Sequence, residues 1–63
     1  MTQKELLYVE DAINHEKALT NELEITEKEL QDKNLKEFIN KEKKKHQKME
    51  KALEKILEEK QYE

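Results

Sequence analysis

The sequence Leu30-Gln31-Asp32-Lys33-Asn34-Leu35 lies between two halves of the chain, each of which has an apolar stripe at helical spacing. In the first half, the positions spaced three and four apart are Leu6, Val9, Ile13, Glu16, Thr20, Leu23, Glu27 and Leu30. Continued past Leu30, the same spacing meets only polar residues, namely Asn34, Glu37, Lys41, Lys44, Lys48 and Lys51. The second half has its own stripe, which comprises Leu35, Ile39, Glu42, His46, Met49, Leu53, Ile56 and Lys60. The periodicity therefore predicts an interruption between two helices.

The offset between the two stripes favours a turn over a continuous helix. A shift of one residue rotates a stripe by roughly 100° around a helix, so one straight coiled coil cannot bury both stripes. Asn34 is a good N-cap for a second helix, with Glu37 at capping-box spacing, and Asp32 is the alternative cap. At the start of the chain, Thr2 and Glu5 have the same capping-box spacing.

The pattern predicts an all-α fold, a single antiparallel two-helix hairpin over residues 1–63. We expect helix 1 over about 2–31, a turn over about 32–34 and helix 2 over about 35–61. The alternative is one long helix with a register shift at 30–35.

Composition supports helices and limits the class of protein. The chain has 63 residues, of which 46% are charged and 33% hydrophobic, and it contains no Gly, Pro or Cys. The absence of cysteine excludes disulfides and thiolate metal sites. The sequence shows neither a signal peptide nor a run of about 18 apolar residues that would span a membrane. These features predict an intracellular protein that is not secreted by the classical route.

The small size predicts self-association. Two helices bury only part of each apolar stripe, and domains of this length need a staple, a metal or a partner. A homodimer that forms a four-helix bundle would hide both stripes. In that bundle we expect Phe38, Met49, Leu53 and Ile56 in the core.

Polar residues within the stripes are the candidate functional residues. Glu16 and Glu27 lie on the first stripe, and Glu42 and His46 lie on the second. A carboxylate in an apolar interface costs several kcal/mol unless it is paired, protonated or bound to a metal. Three interpretations follow: a metal site, a hydrogen-bonded layer that fixes the register of the helices, and a wet edge of the interface.

The metal interpretation uses Glu16, Glu42 and His46, with Glu50 and His15 as further candidate ligands. In outline it is similar to the ferritin-like di-metal arrangement, which combines a Glu on one helix with Glu-x-x-His on the next. Here the acid and the imidazole are four residues apart instead of three. Carboxylate oxygens with imidazole suit iron, manganese or zinc. For His15 the alternative is an ordinary surface residue.

Other function classes have less support. In and beside the lysine-rich segment 41–48, a basic ridge is formed by Lys41, Lys44, Lys48 and Lys51. The chain nevertheless has a net charge of −3, no Arg and no aromatic residue interleaved for stacking. This argues against nucleic-acid binding, and the mixture of charges argues against a membrane-surface helix. There is no Ser, Cys or Gly-rich loop for catalysis, so we expect no enzyme. A ferroxidase-like activity stays open.

Several clusters of residues resemble a known family. They are the segment 4–12, the run His15-Glu16-Lys17, the pair Asn34-Leu35, and the part of helix 2 from Glu42 to His46. Together they resemble small ferritin-like spore-coat proteins (coat F-type) of endospore-forming bacteria. The resemblance implies a ferritin-like helical hairpin, an association with sporulation and other spore-coat proteins as partners. It does not imply ferroxidase activity, because a fold does not determine a function.

The sequence thus predicts a non-enzymatic structural or interaction protein, a spore-coat-like helical hairpin that self-associates. The alternative is a ferritin-like metal-binding protein with a Glu/His carboxylate site in the core of the bundle.

Overall fold

The chain folds as two helices that pack against each other. The computed structural model describes residues 1–60, with helix α1 spanning Gln3–Glu29 and helix α2 spanning Lys33–Lys60. Contacts from residue 16 to 46 and from 27 to 43 show that the helices run antiparallel. The predicted hairpin is confirmed, and the alternative of one long helix is wrong.

The helix boundaries differ slightly from the predicted ones. Helix α1 ends two residues before position 31, and α2 begins two residues before position 35, so the turn consists of residues 30–32. The predicted end of α2 at position 61 lies outside the described residues.

The N-terminus of α1 has the predicted capping box. The backbone N–H of Glu5 donates to the Thr2 hydroxyl at 3.1 Å, and the Thr2 N–H donates to the Glu5 carboxylate at 2.7 Å. These bonds satisfy backbone donors that lack a partner at a helix start. The hydrogen bond from the Thr2 backbone to the charged carboxylate lowers the pKa of Glu5.

At the turn, Asp32 caps α2. Its carboxylate accepts from the N–H of Leu35 at 2.9 Å, and its carbonyl accepts from the N–H of Lys36 at 3.0 Å. The prediction that Asn34 is the N-cap is wrong, because Asn34 is already the second residue of the helix. Leu30 closes α1 in an extended conformation, and no described residue has a positive φ. The turn therefore forms without glycine.

The seam between the helices is thin. Ile13, which is 6% exposed, is the one buried hydrophobic residue in the described part of the chain. The half-buried positions on α2 that face α1 are Ile39, Lys43, His46, Glu50, Leu53 and Leu57. Of the predicted core residues, Leu53 lies in this seam. Phe38, Met49 and Ile56 are 59%, 43% and 45% exposed in the single chain, so their place in the core of a bundle stays a prediction.

This difference has a geometric cause. Helix α2 carries two adjacent apolar stripes, and a two-helix hairpin buries only the one that faces α1. The second stripe, formed by Leu35, Phe38, Met49 and Ile56, stays on the surface.

The two sides of the hairpin differ in polarity. A groove on one side is lined by Glu10, Asn14, Lys17 and Glu54 alongside two apolar residues. The helices turn by about 100° per residue in opposite senses when viewed from one end. This geometry places the exposed stripe of α2 on the other side, beside half-buried residues of α1. We call this side the apolar face, and its residues are Tyr8, Ala12, Leu19, Leu35, Phe38, Met49 and Ile56.

The rod shape leaves much surface in water. The Cα atoms extend over 47 × 14 × 10 Å, with a radius of gyration of 14.5 Å against about 11 Å for a compact domain of this length. The accessible surface is 5220 Å², against about 4,300 Å² for a compact monomer of this mass. No helix within residues 1–60 is long and apolar enough to cross a membrane.

We expect Asp32→Ala to lower the free energy of unfolding by about 1 kcal/mol, because it leaves N–H groups at the start of α2 without an acceptor. Urea denaturation at one fixed protein concentration measures this change. Asn34→Ala is the matched control. A larger loss in the Asn34 variant than in the Asp32 variant would reverse the assignment of the cap.

Candidate functional site

The closest polar contact between the helices joins Glu16 of α1 to His46 of α2. The His46 Nδ1 lies 2.6 Å from Oε2 of Glu16. The two side chains are 14% and 19% exposed for Glu16 and His46, respectively. Because a carboxylate only accepts hydrogen bonds, Nδ1 is the donor in this contact. Long side chains on facing seam positions thus form a pair that is largely shielded from water.

Glu42 completes a three-residue cluster. Its Oε2 lies 3.9 Å from Nε2 of His46, and the two residues are one helical turn apart on α2. Its side chain is 34% exposed, since it lies at the border between the seam and the apolar face. The imidazole therefore has one carboxylate beside each ring nitrogen. The structure brings together the three principal residues that the sequence nominated.

The cluster lies at the middle of the hairpin. Glu16 is 13 residues from each end of α1, and His46 is 13 residues from the start and 14 from the end of α2. Apolar seam residues flank it on both sides, including Ile13 and Leu53 toward the open end and Ile39 toward the turn. Because of this central position, a symmetric assembly of two hairpins would bring both copies of the cluster to the same level along the helices.

The two remaining nominated residues do not join the cluster. His15 is exposed on α1, as expected for a surface histidine. Glu50 is half-buried in the seam, but no hydrogen bond or ion pair within residues 1–60 links it to His46.

A second polar pair lies nearer the turn. Nζ of Lys43 lies 3.2 Å from Oε1 of Glu27, and their side chains are 18% and 25% exposed. The sequence pattern singled out Glu27 as a polar residue of the first stripe, but it missed Lys43, which it included only in the lysine-rich segment 41–48. The signal that identifies Lys43 is its position between Ile39 and His46, at helical spacing from both.

One group in the seam lacks a partner. The Thr20 hydroxyl oxygen is buried and makes no hydrogen bond in the described part of the chain. Thr20 lies one turn after Glu16 on the same face of α1. An unsatisfied buried hydroxyl costs about 1–3 kcal/mol, so the seam is not optimised for the stability of the single hairpin.

The chemistry of the cluster is that of a charge-assisted hydrogen-bonded layer. Within residues 1–60, no group of three or more His, Asp or Glu side chains is placed to hold a metal ion. The Nδ1 atom of His46 donates to Glu16, so Nε2 is the ring nitrogen that faces Glu42.

Comparison with protein-family models, with curated proteins and with solved structures finds no match to this chain. The spore-coat resemblance stays a prediction.

We expect a double-mutant cycle with Glu16→Ala and His46→Ala to give a coupling energy of about 1–3 kcal/mol, because each single variant leaves a shielded polar group unpaired. Thermal or urea unfolding at fixed protein concentration measures it. The control cycle uses Glu24 and Lys28, an exposed pair at 4.0 Å, where we expect about 0.3–0.5 kcal/mol. Equal coupling in both cycles would show that the central pair does not stabilise the seam.

Proposed function

We propose that this chain is a non-enzymatic structural protein that acts as a homodimer, in which two hairpins form a ferritin-like four-helix bundle. The observation that carries the proposal is the exposed apolar face. Leu35, Phe38, Met49 and Ile56 are each 43% to 59% exposed, while Ile13 is the single buried hydrophobic residue of the described chain. Large exposed apolar side chains on one side of a small hairpin indicate an interaction site.

A second copy is the simplest cover for this face. Burying the exposed half of one of these side chains stabilises the dimer by roughly 0.7–1.5 kcal/mol. A symmetric dimer buries two copies of each, one from each protomer. The hairpin has few other sources of stability, because it has no disulfide and its seam is partly polar.

The proposed setting is a spore coat, inside the cell that forms it, with other coat proteins as further partners. Support for this setting comes from the residue clusters that resemble coat F-type proteins.

Sedimentation equilibrium tests the dimer. We expect a dimer at micromolar concentration, and we expect Phe38→Asp to raise its dissociation constant at least tenfold, because a charge would then be buried in the interface. Circular dichroism at several concentrations follows any accompanying loss of helix.

Leu7→Asp is the matched control, because Leu7 is 55% exposed on the opposite side of α1 from the seam. We expect it to leave the dimer unchanged. A wild-type protein that sediments as a monomer would refute self-association.

A metal-binding function is the second candidate. It is favoured by the contact of His46 with Glu16 at 2.6 Å and by the position of Glu42 at 3.9 Å from the other ring nitrogen. One chain does not supply enough ligands. In a dimer, however, each protomer would contribute Nε2 of His46 and the Glu42 carboxylate, four donors of a kind that iron, manganese and zinc accept. Glu16 would orient the imidazole through Nδ1.

Metal analysis tests this candidate. If the site binds metal, the dimer retains iron, manganese or zinc after gel filtration, and His46→Ala loses it together with the rise in melting temperature that the metal causes. His15→Ala is the control, since His15 lies outside the cluster. A dimer that retains no metal after exposure to all three leaves the cluster with a structural role only.

A further inference from the structure

We propose that the two hairpins of the dimer pack through their apolar faces with both turns at the same end, so that α1 of each protomer lies against α2 of its partner. This inference rests on the proposed self-association and specifies its geometry. The interaction surface is the apolar face, and its occupant is a second copy of the chain.

Two symmetric arrangements bring the apolar faces together. If the two-fold axis runs along the helices, the turns lie at the same end and every helix has unlike neighbours. If the axis runs across the helices, the turns lie at opposite ends and each helix contacts its own copy. Both arrangements cover Phe38, Met49 and Ile56, so burial of apolar surface does not distinguish them.

Charge distinguishes the two arrangements. Helix α1 contains eight acidic residues and three lysines, a net charge of −5, whereas α2 contains six acidic residues and ten lysines, a net charge of +4. In the same-end arrangement each acidic helix lies beside a basic one across the dimer interface. In the opposite-end arrangement acidic lies on acidic and basic on basic. Unlike charge across an interface favours the first arrangement.

Specific residues border the apolar face at matching heights. Glu22 of α1 lies on the outer edge of this face, and Lys45 of α2 lies on the corresponding edge of the other helix, by helical spacing. Glu22 lies between Glu16 and Glu27, whose partners His46 and Lys43 bracket Lys45, so the two residues are at the same level.

Both side chains are available for a partner. Glu22 and Lys45 are exposed, and neither takes part in a hydrogen bond or ion pair within residues 1–60. In the same-end dimer, Glu22 of each protomer faces the partner's Lys45 at this height. The other arrangement separates them, because there α1 lies against the partner's α1 and α2 against the partner's α2.

Distance measurement tests the arrangement directly. The chain has no cysteine, so Gln31→Cys introduces a single site for a nitroxide label in the turn. Pulsed electron paramagnetic resonance of the dimer should give a label-to-label distance below about 25 Å for turns at the same end. Turns at opposite ends would give about 40 Å or more, since 27 helical residues span about 40 Å. Gln3→Cys, at the other end of the hairpin, should also give the short distance.

Charge reversal tests the proposed pair. We expect Glu22→Lys and Lys45→Glu each to raise the dissociation constant of the dimer three- to tenfold, and the double variant to restore it. Glu10→Lys, in the polar groove on the opposite side, is the matched control and should have no effect.

The outcomes separate the two proposals. A dimer with long distances at both labelled positions, or a double variant no tighter than the singles, overturns the same-end arrangement and leaves the self-association intact. A monomer overturns both.

Discussion

The hydrogen bond between Glu16 and His46 is the interaction on which the arrangement of the two helices depends. The seam contains few buried apolar side chains, and half-buried Leu and Ile residues accept several registers at similar cost. The Glu16 carboxylate is only 14% exposed and does not tolerate such a change of register. A shift of one helix along the other would leave it without its partner. The pair of Glu27 with Lys43 adds the same constraint nearer the turn. We therefore expect the polar contacts to select the register, which the apolar residues stabilise.

A polar seam has a consequence for the rest of the surface. The face of α2 toward α1 includes Lys43, His46 and Glu50. The apolar side chains of Phe38, Met49 and Ile56 lie on the adjoining face and remain exposed to water. The seam of the single hairpin therefore defines the register of the two helices but adds little to the free energy of unfolding. The stabilisation that its own seam lacks is available from a second copy, which is why the central pair and the proposed dimer belong to one explanation.

The sequence predicted the hairpin well because the two stripes differ in register, and the polar positions within the stripes nominated Glu16, Glu42 and His46 as one candidate site. It misplaced the seam on α2 by one residue. Apolarity favours Met49 and Ile56, whereas the structure turns Glu50 and Leu57 toward α1. Periodicity locates apolar positions, but it does not tell which of them face a given neighbour. The sequence left the cap open between Asn34 and Asp32 for a similar reason: both Asn and Asp suit an N-cap, and only the path of the turn separates them.

The same central cluster of Glu16, Glu42 and His46 takes part in both the structural and the metal-binding proposals. Because Glu16 and His46 lie midway along their helices, a two-fold axis of either orientation brings two copies of the cluster to one level of the bundle. Two imidazoles and four carboxylates would then share a water-poor layer. Such a layer must be neutralised by protons, by pairing or by a cation. The same residues that fix the register therefore determine whether the interior of the bundle takes up a metal ion.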